Sequence, residues 1–437
     1  MSGKTKDQAA ILQKLGISQL NPMQEATQNA IAENDEVVLL SPTGTGKTLA
    51  FLLPLIKTLD AGLEQVQLLI LVPSRELAIQ IEQVIREMGS GFKANAVYGG
   101  RSGSKDRIDL KHAPAILVGT PGRVADHFRR ETINTDYIET LVLDEFDKSL
   151  EVGFESEMLE IIDKLRSVRK KVLTSATQKV DIPDLVGLKN PEQLDFLDAT
   201  SNRLSLQLVT ASNDDKLSTL VQLLNHIQTG NGIIFCNFKD TIQEVSDYLW
   251  NQNIDHACFY GGLEQQDRER ALIKFRNGTS RLLLATDLAA RGIDVPALDF
   301  IIHFQLPPKQ EEFTHRNGRT ARMQQDGTAY LLKVKNERAP DYIRDVNEET
   351  LNQSAQFKNS EVTTLFISGG RKDKISKGDI AGLFMKQGNL TKEELGMIEL
   401  KQDCAFVAVP SSKSKQLINQ LNNSRLKKKK VRISQLN

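Results

Sequence analysis

Eight residues, Ser41-Pro42-Thr43-Gly44-Thr45-Gly46-Lys47-Thr48, have the composition and spacing of a phosphate cradle. Gly44 and Gly46 let backbone N–H groups approach phosphate oxygens with no side chain in the way. Lys47 can reach the β- and γ-phosphates, and the Thr48 hydroxyl can ligate Mg2+. The helical pattern that follows adds the favourable dipole of a helix N-terminus. Ser41 stands where Ala or Gly is commoner, with Thr43 just before the first glycine and Thr45 between the two. Further along, Leu141-Val142-Leu143 delivers Asp144 and Glu145 to a strand end. An acidic pair there suits hydrolysis of a nucleoside triphosphate: Asp144 to hold Mg2+, Glu145 to orient and polarise the attacking water. A phosphoryl transition state also needs positive charge on its far side. The tract His315-Arg316-Asn317-Gly318-Arg319-Thr320-Ala321-Arg322 offers it. Its arginines, Arg316, Arg319 and Arg322, sit three apart, so they share a helical face. Alone, the triplet reads equally well as a solvated basic face; with a phosphate tract upstream, the catalytic reading is favoured.

These groups need a scaffold that brings strand ends together. Short apolar runs (Val37–Leu40, Leu68–Val72, Ala115–Val118, Leu141–Leu143, Val172–Thr174) alternate with helical patterns. They are apolar on both alternations, as strands covered on both sheet faces must be. A doubly wound parallel α/β domain over residues 1–200 follows. Residues 201–215 are polar and read as a connector. A second βα series, with strands at Ile233–Phe235, Ala257–Phe259, Leu282–Ala285, Phe300–Ile302 and Ala329–Leu332, fills 216–340 and has no phosphate tract of its own. Residues 341–361 read as a linker. The last segment, 362–437, reads βαββαβ, an α+β order shared with RNA-recognition domains.

Composition agrees with three domains, since 437 residues at roughly 150 per domain give about that number. Net charge is zero, yet residues 361–437 hold fifteen Lys/Arg against seven Asp/Glu, a surplus of eight balanced by the rest of the chain. A basic module on a less basic engine points to nucleic acid. Cys236, Cys258 and Cys404 follow no metal-ligand spacing and read as buried thiols. No apolar run approaches the ~20 residues that span a bilayer, and residues 1–14 lack an apolar signal core. A cytoplasmic protein without a membrane partner, acting as a monomer, is the expectation.

With these pieces placed, the sequence resembles a DEAD-box RNA helicase, over nearly the whole chain and through many short motifs in family order. The resemblance implies two tandem RecA-like domains, an RRM-like tail, ATP and Mg2+ as cofactors, and RNA as partner. It implies that Gln24, in Asn21-Pro22-Met23-Gln24, reads adenine. It assigns RNA-backbone contacts to Pro73 and Arg75 in Pro73–Ala78, to Gly100, and to Thr120 and Arg123 in Thr120–Arg123. Ser175 and Thr177, in Ser175-Ala176-Thr177, would couple ATP state to RNA state, with Asp147 and His315. Gly261, Thr286 and Arg291 would contact RNA from the second domain, and Asp294 the nucleotide. Arg319 and Arg322 would contact the γ-phosphate.

Departures from the family pattern are also visible. Phe146 replaces Ala, so the name motif reads DEFD; Asn317 and Ala321 replace Ile and Gly; and no aromatic precedes Gln24 to stack on adenine. The tail, with Thr364–Ile375 and Ala405–Pro410, is similar to the RNA-binding domain of the bacterial DbpA subgroup. That implies a structured large-subunit ribosomal RNA target and work on pre-ribosomal particles. Phe366 and Phe406 sit where stacking aromatics would be, and fit equally as core residues. Arg371, Lys372 and Lys374, with Lys428 in the run Lys427–Lys430, would meet phosphates. Two rival readings are an ATP-dependent RNA clamp that separates no strands, and a DNA helicase on the same plan.

Overall fold

The computed structural model describes residues 7–100, 103–151, 153–176, 184–197, 204–211, 215–287, 295, 298–320, 326–343, 346–352 and 355–436. The chain divides into two compact units, one formed mainly by residues 1–202, the other by 203–290 and 295–437.

The first unit is built on a seven-stranded sheet, every pairing parallel. Its order is Ala94–Val97, Ile116–Gly119, Leu68–Leu71, Thr140–Leu143, Lys170–Ser175, Glu36–Leu40, Glu192–Asp195. The doubly apolar runs are explained by two cores. Leu68 and Ile70 enter one buried cluster with Val37, Val142 and Val172. Leu69 and Leu71 enter the other with Val38, Leu143 and Leu173. Successive side chains leave a strand on opposite faces, so burial on both faces leaves no polar alternation to read. The helices carry matching stripes. In Arg75–Met88, capped by the Ser74 hydroxyl, the buried residues Leu77, Ala78, Ile81, Ile85 and Met88 recur at helical spacing. Helix Pro22–Glu33 opens with proline at its first position and a reciprocal capping box between Asn21 and Gln24.

The second unit holds a second all-parallel sheet: His256–Phe259, Leu282–Ala285, Gly232–Phe235, Phe300–His303, Gly327–Val334, Leu204–Ala211, Asn347–Glu348. Two segments differ from the sequence reading. Leu204–Ala211, expected as connector, is a strand paired in register with Gly327–Val334. Ser205, Gln207 and Thr210 interrupt its leucines because it lies near the sheet edge and is only half-buried. Asn347–Glu348 and Phe357 belong to the expected linker, yet the former pairs with that strand and the latter is buried in the domain core.

The tail is a four-stranded antiparallel sheet, ordered Ile398–Leu400, Ala405–Pro410, Val362–Ile367, Ile433–Gln435. Helices Lys377–Lys386 and Ser411–Leu421 cover one face through Leu365, Ile367, Phe384, Val407, Val409 and Leu417. The βαββαβ order therefore stands, with one addition. Arg425–Leu426 and Lys429–Lys430 form a small hairpin before the last strand, with Lys427 at its turn in a left-handed conformation, φ 54°.

Candidate functional site

In the first unit the singled-out motifs follow the C-terminal ends of parallel strands, where doubly wound sheets bind ligands, except Asn21–Gln24, which opens helix Pro22–Glu33 ahead of the first strand. The strand order sorts them. The three strands on one side lead to Gly99-Gly100, to Thr120 and to Pro73-Ser74-Arg75, the expected RNA contacts. The next three lead to Asp144, to Ala176 and to Ser41, the expected nucleotide machinery. The C-terminal end of one sheet thus carries the motifs expected to meet RNA and those expected to serve the nucleotide side by side.

The phosphate loop holds itself in shape. Gly44 and Gly46 have φ of 82° and 89°, the left-handed region that favours glycine. A Cβ on Gly46 would stand 2.5 Å from Gln24 Nε2. Gly46 caps helix Lys47–Ile56 with no side-chain bond, and a helix N-terminus of this kind suits an anion. Ser41 Oγ and Thr45 Oγ1 are 2.8 Å apart, and Thr45 Oγ1 donates to Pro42 O, so the unusual Ser41 braces the loop. Asn21 Nδ2 donates to Thr45 O at 3.0 Å, and Gln24 Nε2 to Gly46 O at 3.4 Å, tying the segment expected to read adenine to the cradle. Lys47 Nζ donates to Ser41 O at 2.6 Å and to Pro42 O at 3.0 Å. Thr48 and Thr43 are part-buried in the same loop.

Asp144 is 3% exposed. Burial raises its carboxyl above the ordinary range, opposed by the Thr174 hydroxyl, the Lys47 charge and the Glu145 amide, while Asp147 adds to the rise. The Lys47 charge acting on Asp144 brings the cradle and the acidic pair into one site. Glu145 is buried with φ 49°, left-handed for a residue with a side chain. Its N–H donates to Thr174 Oγ1 at 3.3 Å. Asp147 and Lys148 are buried neighbours at 3.4 Å. Ser175 is fully buried, and its carbonyl accepts from Ser41 N at 3.0 Å. Phe146 does not reach into the site: it fills the buried cluster of Leu143, Leu173, Met158, Ile161 and Val186.

Among the expected RNA contacts, Arg75 lies against the Gly99-Gly100 turn. A Cβ on Gly100, at φ 84°, would meet Arg75 Nη1 at 2.6 Å. Arg123 is held by the buried Asp106, Nε to Oδ2 2.8 Å and Nη2 to Oδ2 2.7 Å, and by Asp126 at 3.4 Å. Thr120 is the buried N-cap of helix Pro121–Arg129, and Pro73 is part-buried.

In the second unit the arginine triplet departs from the expected shared helical face. Helix Gln310–Asn317 ends at Gly318, so Arg319 lies in the turn beyond it. Arg316 is 1% exposed and structural. Its guanidinium donates to both Asp287 oxygens, to Gln305 O at 2.7 Å and to Asn237 Oδ1 at 2.7 Å, and lies over the Phe235 ring. It joins three strand ends. Asn317, where Ile is usual, bonds His303: Nε2 to Oδ1 is 3.0 Å, both residues buried. Burial and the Arg316 charge push the His303 pKa down to about 3. His315 and Arg319 are buried nearby on the same segment. Gly261 is exposed after strand His256–Phe259, and Thr286 part-buried after Leu282–Ala285. Thr177, Arg291, Asp294 and Arg322 lie outside the described residues.

The tail carries one correction and one interface. Phe366 and Phe406 pair in register, ring centroids 5.8 Å apart, but do not form an open platform. They pack with Leu436, Cys404 and Ile273 of helix Gln265–Arg276, so this sheet face is docked on the second α/β domain. Around them Arg276 makes two 2.9 Å bonds to Glu399, Lys401 reaches Glu269 at 3.1 Å, and the Thr279 and Thr364 hydroxyls are 2.7 Å apart. The basic groups gather elsewhere in the tail. Lys429 pairs with Asp373 and Lys427 with Asp379, each at 2.8 Å. The Lys427 and Ser376 bonds hold the Asp379 carboxyl down to about 2. Lys372, Lys374, Lys428 and Lys430 are exposed around these pairs, with Arg371 part-buried.

Sequence comparison agrees with this geometry. The DEAD/DEAH box helicase family matches residues 21–185, the helicase conserved C-terminal domain 215–324, and the DbpA RNA binding domain 364–435. The ATP-dependent RNA helicase DbpA of Escherichia coli (strain K12) is 34% identical over 437 residues, covering 97% of this chain and 95% of that protein. The ATP-dependent RNA helicase DbpA of Bacillus subtilis (strain 168) is 30% identical over 464 residues, covering 98% and 96%. Among solved structures, S. cerevisiae Dbp5 bound to RNA and ADP BeF3 superposes with TM-score 0.67 at 26% identity, covering 76% of this chain and 88% of that one. With a phosphate loop beside a buried acidic pair on the first sheet and a basic RRM-like tail, the chain belongs to the DEAD-box ATP-dependent RNA helicases of the DbpA type.

Proposed function

We propose that this helicase opens short duplexes in structured large-subunit ribosomal RNA during ribosome assembly, as a cytoplasmic monomer. The observation that carries the reading is the tail. It has a surplus of eight positive charges over residues 361–437 and exposes lysines around two internal ion pairs. Its docked sheet face leaves those lysines to meet RNA phosphates, and the resemblance to the DbpA subgroup supplies the ribosomal target. A tail docked in this way ties whatever RNA it holds to the second α/β domain. It raises the local concentration of a neighbouring duplex at the helicase core.

At the core, Lys47 and the N–H groups from Gly44 to Thr48 bind the phosphates, and Gln24 reads adenine. Asp144 and Thr48 would hold Mg2+. One buried carboxylate beside a hydroxyl and a cradle fits an ion that keeps waters and phosphate ligands, and among the described residues no cluster of three acidic, His or Cys side chains offers a rival cage. Bound there, Mg2+ would neutralise charge on the β- and γ-phosphates. Glu145 orients the attacking water, and Arg319 and Arg322 stabilise the transferring phosphoryl group once the two α/β domains close on ATP. Ser175, Thr177, Asp147 and His315 relay that closure, and Arg75, Gly100, Thr120, Arg123, Gly261, Thr286 and Arg291 grip one strand.

The test compares ATPase stimulation and strand displacement on fragments of large-subunit ribosomal RNA and on generic RNA of equal length, for the intact chain and for the triple variant Lys372→Ala, Lys374→Ala, Lys428→Ala. Removing three phosphate contacts is expected to raise the half-saturating ribosomal RNA concentration by about tenfold or more at low salt and to flatten the salt dependence. Maximal turnover should be unchanged. An intact chain that treats all fragments alike overturns the ribosomal target.

A further inference from the structure

Thr174 sits inside an apolar strand, has no exposed surface, and belongs to none of the motifs discussed above. Strands Thr140–Leu143 and Lys170–Ser175 pair with Leu143 opposite Leu173, so Thr174 is carried to the level of Asp144. Its hydroxyl donates to Asp144 Oδ1 and accepts the N–H of Glu145. A hydroxyl has one proton to give and lone pairs to receive, and here both capacities serve the acidic pair. The next residue, Ser175, accepts the amide of Ser41 at the start of the phosphate loop.

We propose that the Thr174 hydroxyl is a positioning group for ATP hydrolysis: it fixes the Asp144 carboxylate and the left-handed backbone of Glu145 in one act, and links both to the strand that ends in Ser175-Ala176-Thr177. A carboxylate at Asp144's depth needs a donor to stay put, and Thr174 supplies one from a rigid strand. Glu145 at φ 49° occupies a region side chains avoid, and accepting its N–H holds the residue there. Where Glu145 points depends on that dihedral. Any movement of the strand end is therefore transmitted to the metal-holding carboxylate and the water-orienting carboxylate together. The inference rests on the roles given above to Asp144 and Glu145.

The experiment uses the full-length chain with Thr174→Val, which keeps shape and removes the hydroxyl, Thr174→Ser, which keeps the hydroxyl, and Thr174→Ala in case valine prevents folding. Thermal unfolding establishes that each is folded. Steady-state ATPase at saturating RNA is measured together with binding of a fluorescent ATP analogue, with and without Mg2+. The valine or alanine variant is expected to lose about tenfold to a hundredfold in kcat, the equivalent of one hydrogen bond to a charged group, with KM for ATP within about threefold. Analogue affinity without Mg2+ should be unchanged, and the Mg2+ concentration giving half-maximal tight binding should rise by about fivefold or more, on the same hydrogen-bond scale. Thr174→Ser should restore kcat to within about threefold of the parent by keeping that bond. Unchanged kcat in a folded Thr174→Val or Thr174→Ala overturns the proposal, as does an equal loss in Thr174→Ser, which would make the methyl group the agent. Glu145→Gln run alongside separates the two levels. Full turnover in that variant removes the underlying reading, whereas its loss beside a normal Thr174→Val removes this inference alone.

Discussion

Glu145 is the residue on which hydrolysis is most directly staked, and its setting makes a sharp prediction. It is buried next to Asp144 with a left-handed backbone, the kind of strained setting that clusters at active sites. Glu145→Gln keeps size and one accepting oxygen but replaces the other with a donating NH2 and cannot accept a proton. Turnover should fall by about 10²- to 10⁴-fold with ATP and RNA binding retained; single-turnover kinetics and analogue binding check this, and undiminished turnover would refute the water-orienting role. Residues of this kind stand out in the sequence because phosphate chemistry restricts their type: glycines where backbone must approach, lysine to reach, paired carboxylates at a strand end. Thr174 was not legible, because a threonine among valines and leucines is an ordinary strand residue until its partners are known. Arg316 was misread for a related reason. Spacing of three implies a common face only while the helix continues, and Gly318 ends it, so Arg316 turns inward to Asp287 and Asn237. Phe146 looked like a change to the catalytic tract and is a change to the core beneath it.

At the scale of elements, the contact of strand Phe300–His303 with helix Gln310–Asn317 shows what a departure from the family pattern is bonded to. Asn317 looks misplaced in a motif that usually carries Ile there, until His303 is seen bonding to it between the rings of Phe235 and Phe313. The imidazole must be neutral, because burial and Arg316 both oppose its charge. The consequence for stability has a definite sign. In the unfolded chain His303 protonates near its ordinary value of 6.5, in the folded chain only near about 3. Between those values the unfolded state binds more protons, so this group's contribution is full above pH 6.5 and is lost progressively as pH falls toward 3. Urea unfolding at pH 7.5 and pH 5.5 should show a loss that is smaller, by on the order of 1 kcal/mol, in His303→Asn, which cannot titrate there. Equal losses in both proteins would mean the imidazole is not held neutral. The strands and helices themselves followed from pattern wherever both faces are covered. The pattern failed at Leu204–Ala211, where a half-buried strand alternates with polar residues and resembles a loop.

Across the second unit, the tail's docking changes how removal of residues 361–437 must be read. The natural experiment is deletion, with the expectation that the core loses RNA selectivity. Deletion also uncovers Ile273, leaves Arg276 and Glu269 without Glu399 and Lys401, and removes the cover that Phe406 and Leu436 provide. A deleted protein can fail through its core as easily as through lost RNA contacts. The interface itself offers a cleaner perturbation, since Arg276 and Glu399 form a two-pronged pair, each only about a fifth exposed or less. Arg276→Glu puts two carboxylates together, and should loosen the tail without touching any lysine expected to meet RNA. Glu399→Arg does the same with two guanidiniums. The double exchange restores opposite charge and should recover most of the loss, as coupling between contacting residues requires. Isolated binding of a ribosomal RNA fragment should be nearly unchanged in the single variants, because the tail's fold and lysines remain. ATPase stimulation by that same fragment at sub-saturating concentration should fall by about tenfold, because a tail that no longer sits on the second α/β domain loses the local-concentration advantage of a fixed tether. If stimulation is unaffected while crosslinking or limited proteolysis shows the tail released, the docking contributes stability alone, and delivery of the duplex depends only on the tail's being attached by its chain.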